Sequence, residues 1–138
     1  MASQDRSLNL ARALLWALVA LFGGYSLAYV GGVRVGEALN ECSRQLQTSQ
    51  LPGNFGIAIA AALGAMGIGR KRRWGLTMAA AAASAAAYIG LLDITYNIRN
   101  EVYAMPWRQI APELFANSVC ILVPAYLFFR ALTAPVWD

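Results

Sequence analysis

The chain contains no histidine and only one lysine, Lys71. Without an imidazole there is no bis-histidine haem, no histidine-bound zinc or copper and no histidine acid–base catalysis. Its two cysteines form no CxxC pair, and no glycine-rich phosphate loop precedes the lysine. The sequence therefore predicts a protein that is not an enzyme and that uses no cofactor and no metal ion.

Charged residues are also scarce. They make up 13% of the chain, against 59% hydrophobic residues, and the mean hydropathy is +0.48. Soluble domains typically carry about 25% charged residues, so this chain has too few to build an ordinary water-exposed surface. We expect one integral membrane domain over residues 1–138. It should be all-α, because a helix satisfies its own backbone hydrogen bonds in lipid.

Four stretches with little or no charge approach the length of about 20 residues with which a helix crosses a bilayer. The second opens with Pro52 and Gly53, which predict that the helix restarts there. Pro112 followed by Glu113 resembles a helix start, because proline suits the first helical position and an acid suits the positive end of the helix dipole. The predicted fold is a four-helix transmembrane bundle with spans at about 13–33, 51–69, 74–93 and 113–130.

The cations indicate the orientation of these spans. If the N-terminus is inside, seven cations lie inside: Arg6, Arg12, Arg70, Lys71, Arg72, Arg73 and Arg130. Four lie outside among acidic residues: Arg34, Arg44, Arg99 and Arg108. This positive-inside bias predicts a multi-pass protein of the cell (plasma or inner) membrane with both termini cytoplasmic. The run from Arg70 to Arg73 should contact anionic lipid headgroups. Apolar spans separate the cations, so we expect no nucleic-acid partner.

The N-terminus permits an alternative. Arg6 and Arg12, an apolar stretch and then Ser26-Leu27-Ala28 resemble a signal peptide with a small-residue cleavage site. Cleavage after Ala28 would leave three spans. The apolar run continues to Val33, which favours an uncleaved first helix.

Small residues recur at steps of four and predict close helix packing. Lipid does not drive apolar helices together, so close approach of their backbones must hold them. In the first span they are Gly24, Ala28, Gly32 and Gly36, and in the second Gly56, Ala60 and Gly64. We expect the first two helices to make tight contacts. The pattern leaves open whether these faces meet within one chain, in a homo-oligomer or in a larger membrane complex.

Polar residues recur at helical spacing beside the second outer connection. After the third span they are Asp93, Tyr96, Asn97, Asn100 and Glu101, and in the fourth Glu113, Asn117 and Cys120. If the third helix continues through them, the two stripes can face one another, since a short connection makes these helices antiparallel neighbours. Arg34 and Arg99 are candidate counter-charges.

Two interpretations of the stripes stay open. In one, Asp93, Tyr96, Asn97, Glu113 and Asn117 line an outward-facing pocket for a cation or the polar head of an amphiphile, since ionisable residues inside a membrane suggest function by default. In the other, which we favour here, the third helix leaves the bilayer near Asp93 and the stripe is its solvated end. Cys42 and Cys120 are expected to be free thiols, with a disulfide as the alternative.

The leading functional prediction is a small non-enzymatic accessory or scaffold protein that associates through its glycine and alanine faces. The alternative is a small transporter or ligand-binding protein that uses the acidic and amide pocket. A third hypothesis is a membrane enzyme acting on lipid, with the same carboxylates as acid and base.

The cation asymmetry predicts the topology. A reporter that is active only outside the cytoplasm should work when fused within residues 34–50 and fail when fused after Asp138. The opposite pattern of activity would overturn the orientation.

Overall fold

The computed structural model describes residues 2–33 and 41–133, and the described chain is all-helical apart from turns. Its first helical rod has three consecutive parts, and three further long helices follow it. In chain order the elements are α1 (Ala2–Leu18), a π-helical turn (Val19–Gly24), α2 (Tyr25–Val30), α3 (Glu41–Gly69), α4 (Arg73–Arg99), a 3-10 turn (Val102–Ala104) and α5 (Trp107–Thr133).

Four helical segments are long and apolar enough to cross a membrane: Arg6–Val30, Gln45–Gly69, Arg73–Arg99 and Ile110–Thr133. At 24 to 27 residues each, they reach roughly 36–40 Å at about 1.5 Å per residue. The predicted number of helices is confirmed. Most of these helices extend beyond the predicted spans, because charged and polar residues at helix ends can keep helical backbone while their heads reach water.

Two predicted helix starts are wrong. Pro52 lies inside α3, and Pro112 lies inside α5, which begins at Trp107. Proline fixes φ at a helical value and removes a single backbone donor. A long helix held by its neighbours can therefore continue through it.

The helices pack in an order that closes on itself. The first rod contacts α3, α3 contacts α4, α4 contacts α5, and α5 returns to α1. The last contact includes a hydrogen bond of 3.3 Å from the Tyr126 hydroxyl to the Ser7 carbonyl oxygen. The buried apolar side chains form one core, which includes Leu15, Leu18, Ile57, Ala61, Ala65, Ala82, Ala83 and Leu127.

The closest approach of two helix backbones joins α3 to α4. A Cβ at Gly64 would lie 2.9 Å from the backbone nitrogen of Ala79, and Gly67 and Gly75 leave no room for a Cβ at either position. The connecting turn is short: Lys71 takes a left-handed φ of 53°, and the Arg72 amide donates to the Gly67 carbonyl at 2.9 Å. The two helices are therefore in contact as soon as the chain reverses.

The small residues predicted to pack have different surroundings. Gly64 is buried against Ala79, whereas Gly24 and Gly56 face open space. Ala60 packs at the edge of the core, and Ala28 is half-buried. Gly32 has φ of 85° beyond the end of α2, and Gly36 lies outside the described residues. The first rod approaches α3 through Gly23, where a Cβ would lie 3.4 Å from that of Ala58.

All seven cations that the sequence assigns to one side lie at one end of the bundle. The Arg12 guanidinium carbon lies 3.1 Å from the position of a Cβ at Gly69, beside the Arg70–Arg73 run. The Tyr126–Ser7 hydrogen bond brings Arg130 and Arg6 to the same end. We call this the basic end, and the opposite one, where α4 meets α5, the distal end.

The α3–α4 contact predicts a steep dependence on side-chain size. Gly67→Ala should lower the free energy of unfolding in mixed micelles by about 1–3 kcal/mol or more, because the new methyl group meets the Gly75 backbone. Gly56→Ala is the matched control in the same helix. It enters open space and should be neutral or stabilise by up to about 1 kcal/mol. Equal effects of the two variants would contradict this packing.

Candidate functional site

The core is apolar towards the basic end and polar towards the distal end. Three helices and the 3-10 turn contribute the polar side chains, which we call the distal polar cluster: Gln50, Asn54, Asp93, Asn97, Tyr103, Glu113 and Asn117. Only 4–5% of the surface of Asn54, Asn97 and Asn117 is exposed. Asp93, Tyr103 and Glu113 are half-buried, so the three asparagines are more buried than the two acids.

The helix α4 does not end at Asp93 but continues to Arg99. Asp93 and Asn97 therefore lie one helical turn apart on one face, and Asn97 is buried. The interpretation of this stripe as a solvated helix end, favoured from the sequence, is wrong for Asn97. It holds for Asn100, which ends the helix with its Nδ2 donating to the Tyr96 carbonyl, and for the exposed Glu101.

The predicted stripes of α4 and α5 face one another. Gly90 lets the helices approach, since a Cβ there would lie 2.6 Å from the Cβ of Cys120. Beyond this contact, the Asn97 side chain hydrogen-bonds Glu113, and Asp93 lies close enough to Glu113 for their charges to interact. The structure thus joins Asp93, Asn97, Glu113 and Asn117 in one site. Tyr96 is half-buried at its edge.

Tyr103 links the amides of the two helices, although no sequence pattern singled it out. Its hydroxyl accepts a hydrogen bond of 2.8 Å from Asn117 Nδ2 and a longer one of 3.5 Å from Asn97 Nδ2. The 3-10 turn places it there, with Val102 buried and the Met105 amide bonded to the Val102 carbonyl. Tyr103 thereby holds the connection between α4 and α5 against the side-chain amides of Asn97 and Asn117.

The helix α3 adds two residues that the sequence analysis also missed. Gln50 Nε2 donates to Asp93 Oδ1 at 3.0 Å, and Asn54 follows one turn deeper. Gln50 and Asn54 have the same i, i+4 spacing as Glu113 and Asn117, so the sequence did contain a signal for them. The expected helix start at Pro52 concealed it, because it separated Gln50 from Asn54.

Among the described residues of this half of the bundle, three buried oxygens have no hydrogen-bond partner: Asn54 Oδ1, Asn117 Oδ1 and Ser26 Oγ. Ser26 is fully buried on α2, between Gly23, which approaches Ala58, and Tyr29, whose hydroxyl shares a hydrogen bond of 2.9 Å with that of Thr48. An unpaired buried polar group costs about 1–3 kcal/mol, and a bound group would relieve that cost.

No described cation forms an ion pair with the two carboxylates. Gln50 is the hydrogen-bond partner of Asp93, and Asn97 that of Glu113. Of the predicted counter-charges, Arg99 is exposed and Arg34 lies outside the described residues. Among the residues with described side chains, no three His, Cys, Asp or Glu residues lie close enough together to hold a metal ion.

Cys120 and Pro124 lie below the amides on α5. Cys120 is a free, buried thiol, so the disulfide alternative with Cys42 is wrong. Pro124 is fully buried. Further towards the basic end the core consists of apolar side chains, mostly alanine and leucine, which form an apolar floor to the distal polar cluster.

No protein-family model, characterised protein or solved structure matches this chain. The functional argument therefore depends on the geometry of the cluster.

The position of Tyr103 predicts a measurable stability effect. Tyr103→Phe removes the acceptor for Asn117 Nδ2 and should lower the free energy of unfolding in mixed micelles by about 1–3 kcal/mol. Tyr88→Phe is the control, because Tyr88 is 63% exposed and its change should stay within about 0.5 kcal/mol. If both substitutions have the same effect, the hydroxyl does not hold the cluster together.

Proposed function

We propose that this chain is a non-enzymatic, multi-pass protein of the plasma or inner membrane that binds a cationic ligand in the distal polar cluster. One observation carries the proposal. Two half-buried carboxylates, Asp93 and Glu113, lie close enough for their charges to interact and have no described counter-charge, and the same end of the bundle holds the unpaired amide oxygens of Asn54 and Asn117. A positive group bound there would offset the repulsion between the acids.

Membrane insertion is supported by the four long apolar helices. The orientation that we propose places the basic end in the cytoplasm, because the seven cations gather there. The distal polar cluster then faces outwards. Arg70, Lys71, Arg72 and Arg73 are all exposed, which suits contact with anionic lipid headgroups.

The apolar floor favours binding over open passage. Below Asn54 and Asn117, fully buried residues such as Ala61, Ala65 and Leu127 fill the centre of the bundle. An ion entering from the distal end therefore meets a closed core. A transporter built on this site would need a second arrangement of the helices, so we propose ligand binding as the basic activity.

A second candidate function is that of an accessory subunit in a homo-oligomer or a larger membrane complex. The observation that favours it is the open space at Gly24 and Gly56, two small residues against which none of the described residues packs. Small residues on a lipid-facing helix surface allow the close approach of another helix.

The binding proposal is tested by titrating the purified protein in detergent with chloride salts of potassium, sodium, methylammonium and tetramethylammonium at constant ionic strength. At least one cation should raise Tm in a saturable manner, by the mass-action relation between ligand concentration and stability. Asp93→Asn combined with Glu113→Gln should abolish the shift. Glu101→Gln is the control, since it removes an exposed acid at the same end. The proposal fails if no cation shifts Tm or if the double variant responds like the wild type.

A further inference from the structure

We propose, building on the function above, that the distal polar cluster selects a cationic head that carries N–H donors, such as a primary ammonium group. Asn54 Oδ1 and Asn117 Oδ1 accept its hydrogen bonds, while Asp93 and Glu113 supply the opposite charge. The inference thus names the chemical class of the ligand and the residues that discriminate between cations.

The inventory of donors and acceptors in the cluster leads to this class. Three of the four amides already donate: Gln50 Nε2 to Asp93, Asn97 to Glu113, and Asn117 Nδ2 to Tyr103. Among the described residues, the fully buried amide atoms left without a partner are both acceptors, Asn54 Oδ1 and Asn117 Oδ1. A carboxylate has about four lone-pair sites, so the acids retain further accepting capacity. A ligand that completes these interactions must donate hydrogen bonds.

Spacing along the helices suits a single head group. Gln50 and Asn54 are one turn apart on α3, and Glu113 and Asn117 are one turn apart on α5. Side chains at i and i+4 are neighbours, with Cβ atoms about 5–6 Å apart. A small head between such neighbours can therefore approach a carboxylate and a deeper amide oxygen together. The burial of both asparagines keeps water from competing for their oxygens.

Other ligand classes match this inventory less well. A quaternary ammonium has no N–H donor and is usually held by aromatic faces, whereas the members of the cluster are mostly amides and acids. Calcium takes six to eight oxygen ligands, and the described side chains include no three-residue acidic cluster for a metal ion. An anion would be repelled by Asp93 and Glu113.

Selectivity is measured with methylated ammonium ions that differ in their number of N–H donors, of which trimethylammonium and tetramethylammonium are nearly the same size. Trimethylammonium keeps one donor and tetramethylammonium has none, while methylammonium has three. Such small probes bind in the millimolar range at best, so the titrations extend to about 100 mM at constant ionic strength. Methylammonium and trimethylammonium should raise Tm with a Kd at least about tenfold lower than that of tetramethylammonium, the ratio expected for a lost charged hydrogen bond.

Two variants, Asn54→Leu and Asn117→Leu, test whether the amide oxygens cause this selectivity. Each replaces an amide by an apolar group of similar size and should weaken methylammonium binding about tenfold, with tetramethylammonium binding unchanged. Asn9→Leu, an exposed position on α1 near the basic end, is the control and should change neither affinity. The wild-type comparison needs no variant and remains decisive if a substituted protein does not fold.

The outcomes separate this inference from the binding proposal. If tetramethylammonium or potassium binds as tightly as methylammonium, and Asp93→Asn with Glu113→Gln abolishes that binding, the selectivity is wrong while cation binding stands. If Asn54→Leu and Asn117→Leu leave methylammonium binding unchanged, the assignment to these oxygens is wrong. If no cation binds, the binding proposal itself fails.

Discussion

The close backbone contact between α3 and α4 fixes the register in which the polar side chains of these two helices meet. Gly67 and Gly75 bring the two helices together next to the basic turn, and from there the antiparallel register carries Gln50 to Asp93 at the other end. A second close approach, at Gly90 and Cys120, brings α5 against α4. The glycines therefore act far from the site, by fixing how three helices are rotated towards one another.

This arrangement divides the bundle into two halves with different roles. Alanine, leucine and glycine fill the half near the basic end at short interhelical distances, and they need no hydrogen bonds between side chains. The distal half collects amides and acids whose hydrogen bonds join α3, α4, α5 and the 3-10 turn. Buried polar groups are costly unless they are paired. The unpaired oxygens of Asn54 and Asn117 are therefore the feature of the distal polar cluster that most needs a physical explanation. A hydrogen-bonding ligand supplies one.

Several features of the site were accessible from the sequence. The spacing of Asp93 with Asn97 and of Glu113 with Asn117 placed each pair on one helix face, and the short connection made the two faces neighbours. Gln50 and Asn54 have the same spacing, but Pro52 between them was interpreted as a helix start. Tyr103 had no periodic signal, because it lies in a single 3-10 turn. The stepped glycines were interpreted as the contact between the first two helices, whereas Gly24 and Gly56 face open space.

The sequence by itself determined that the chain forms four long apolar helices and that its cations gather at one end, because length, hydropathy and charge are properties of each segment alone. Only the tertiary structure decided which small residues pack and which polar residues meet. Helical periodicity defines the faces of one helix, but the rotation of that helix against its neighbours depends on contacts between residues far apart in the chain. Gly67 with Gly75, and Asn117 with Tyr103, are contacts of this kind, and no local pattern specifies them.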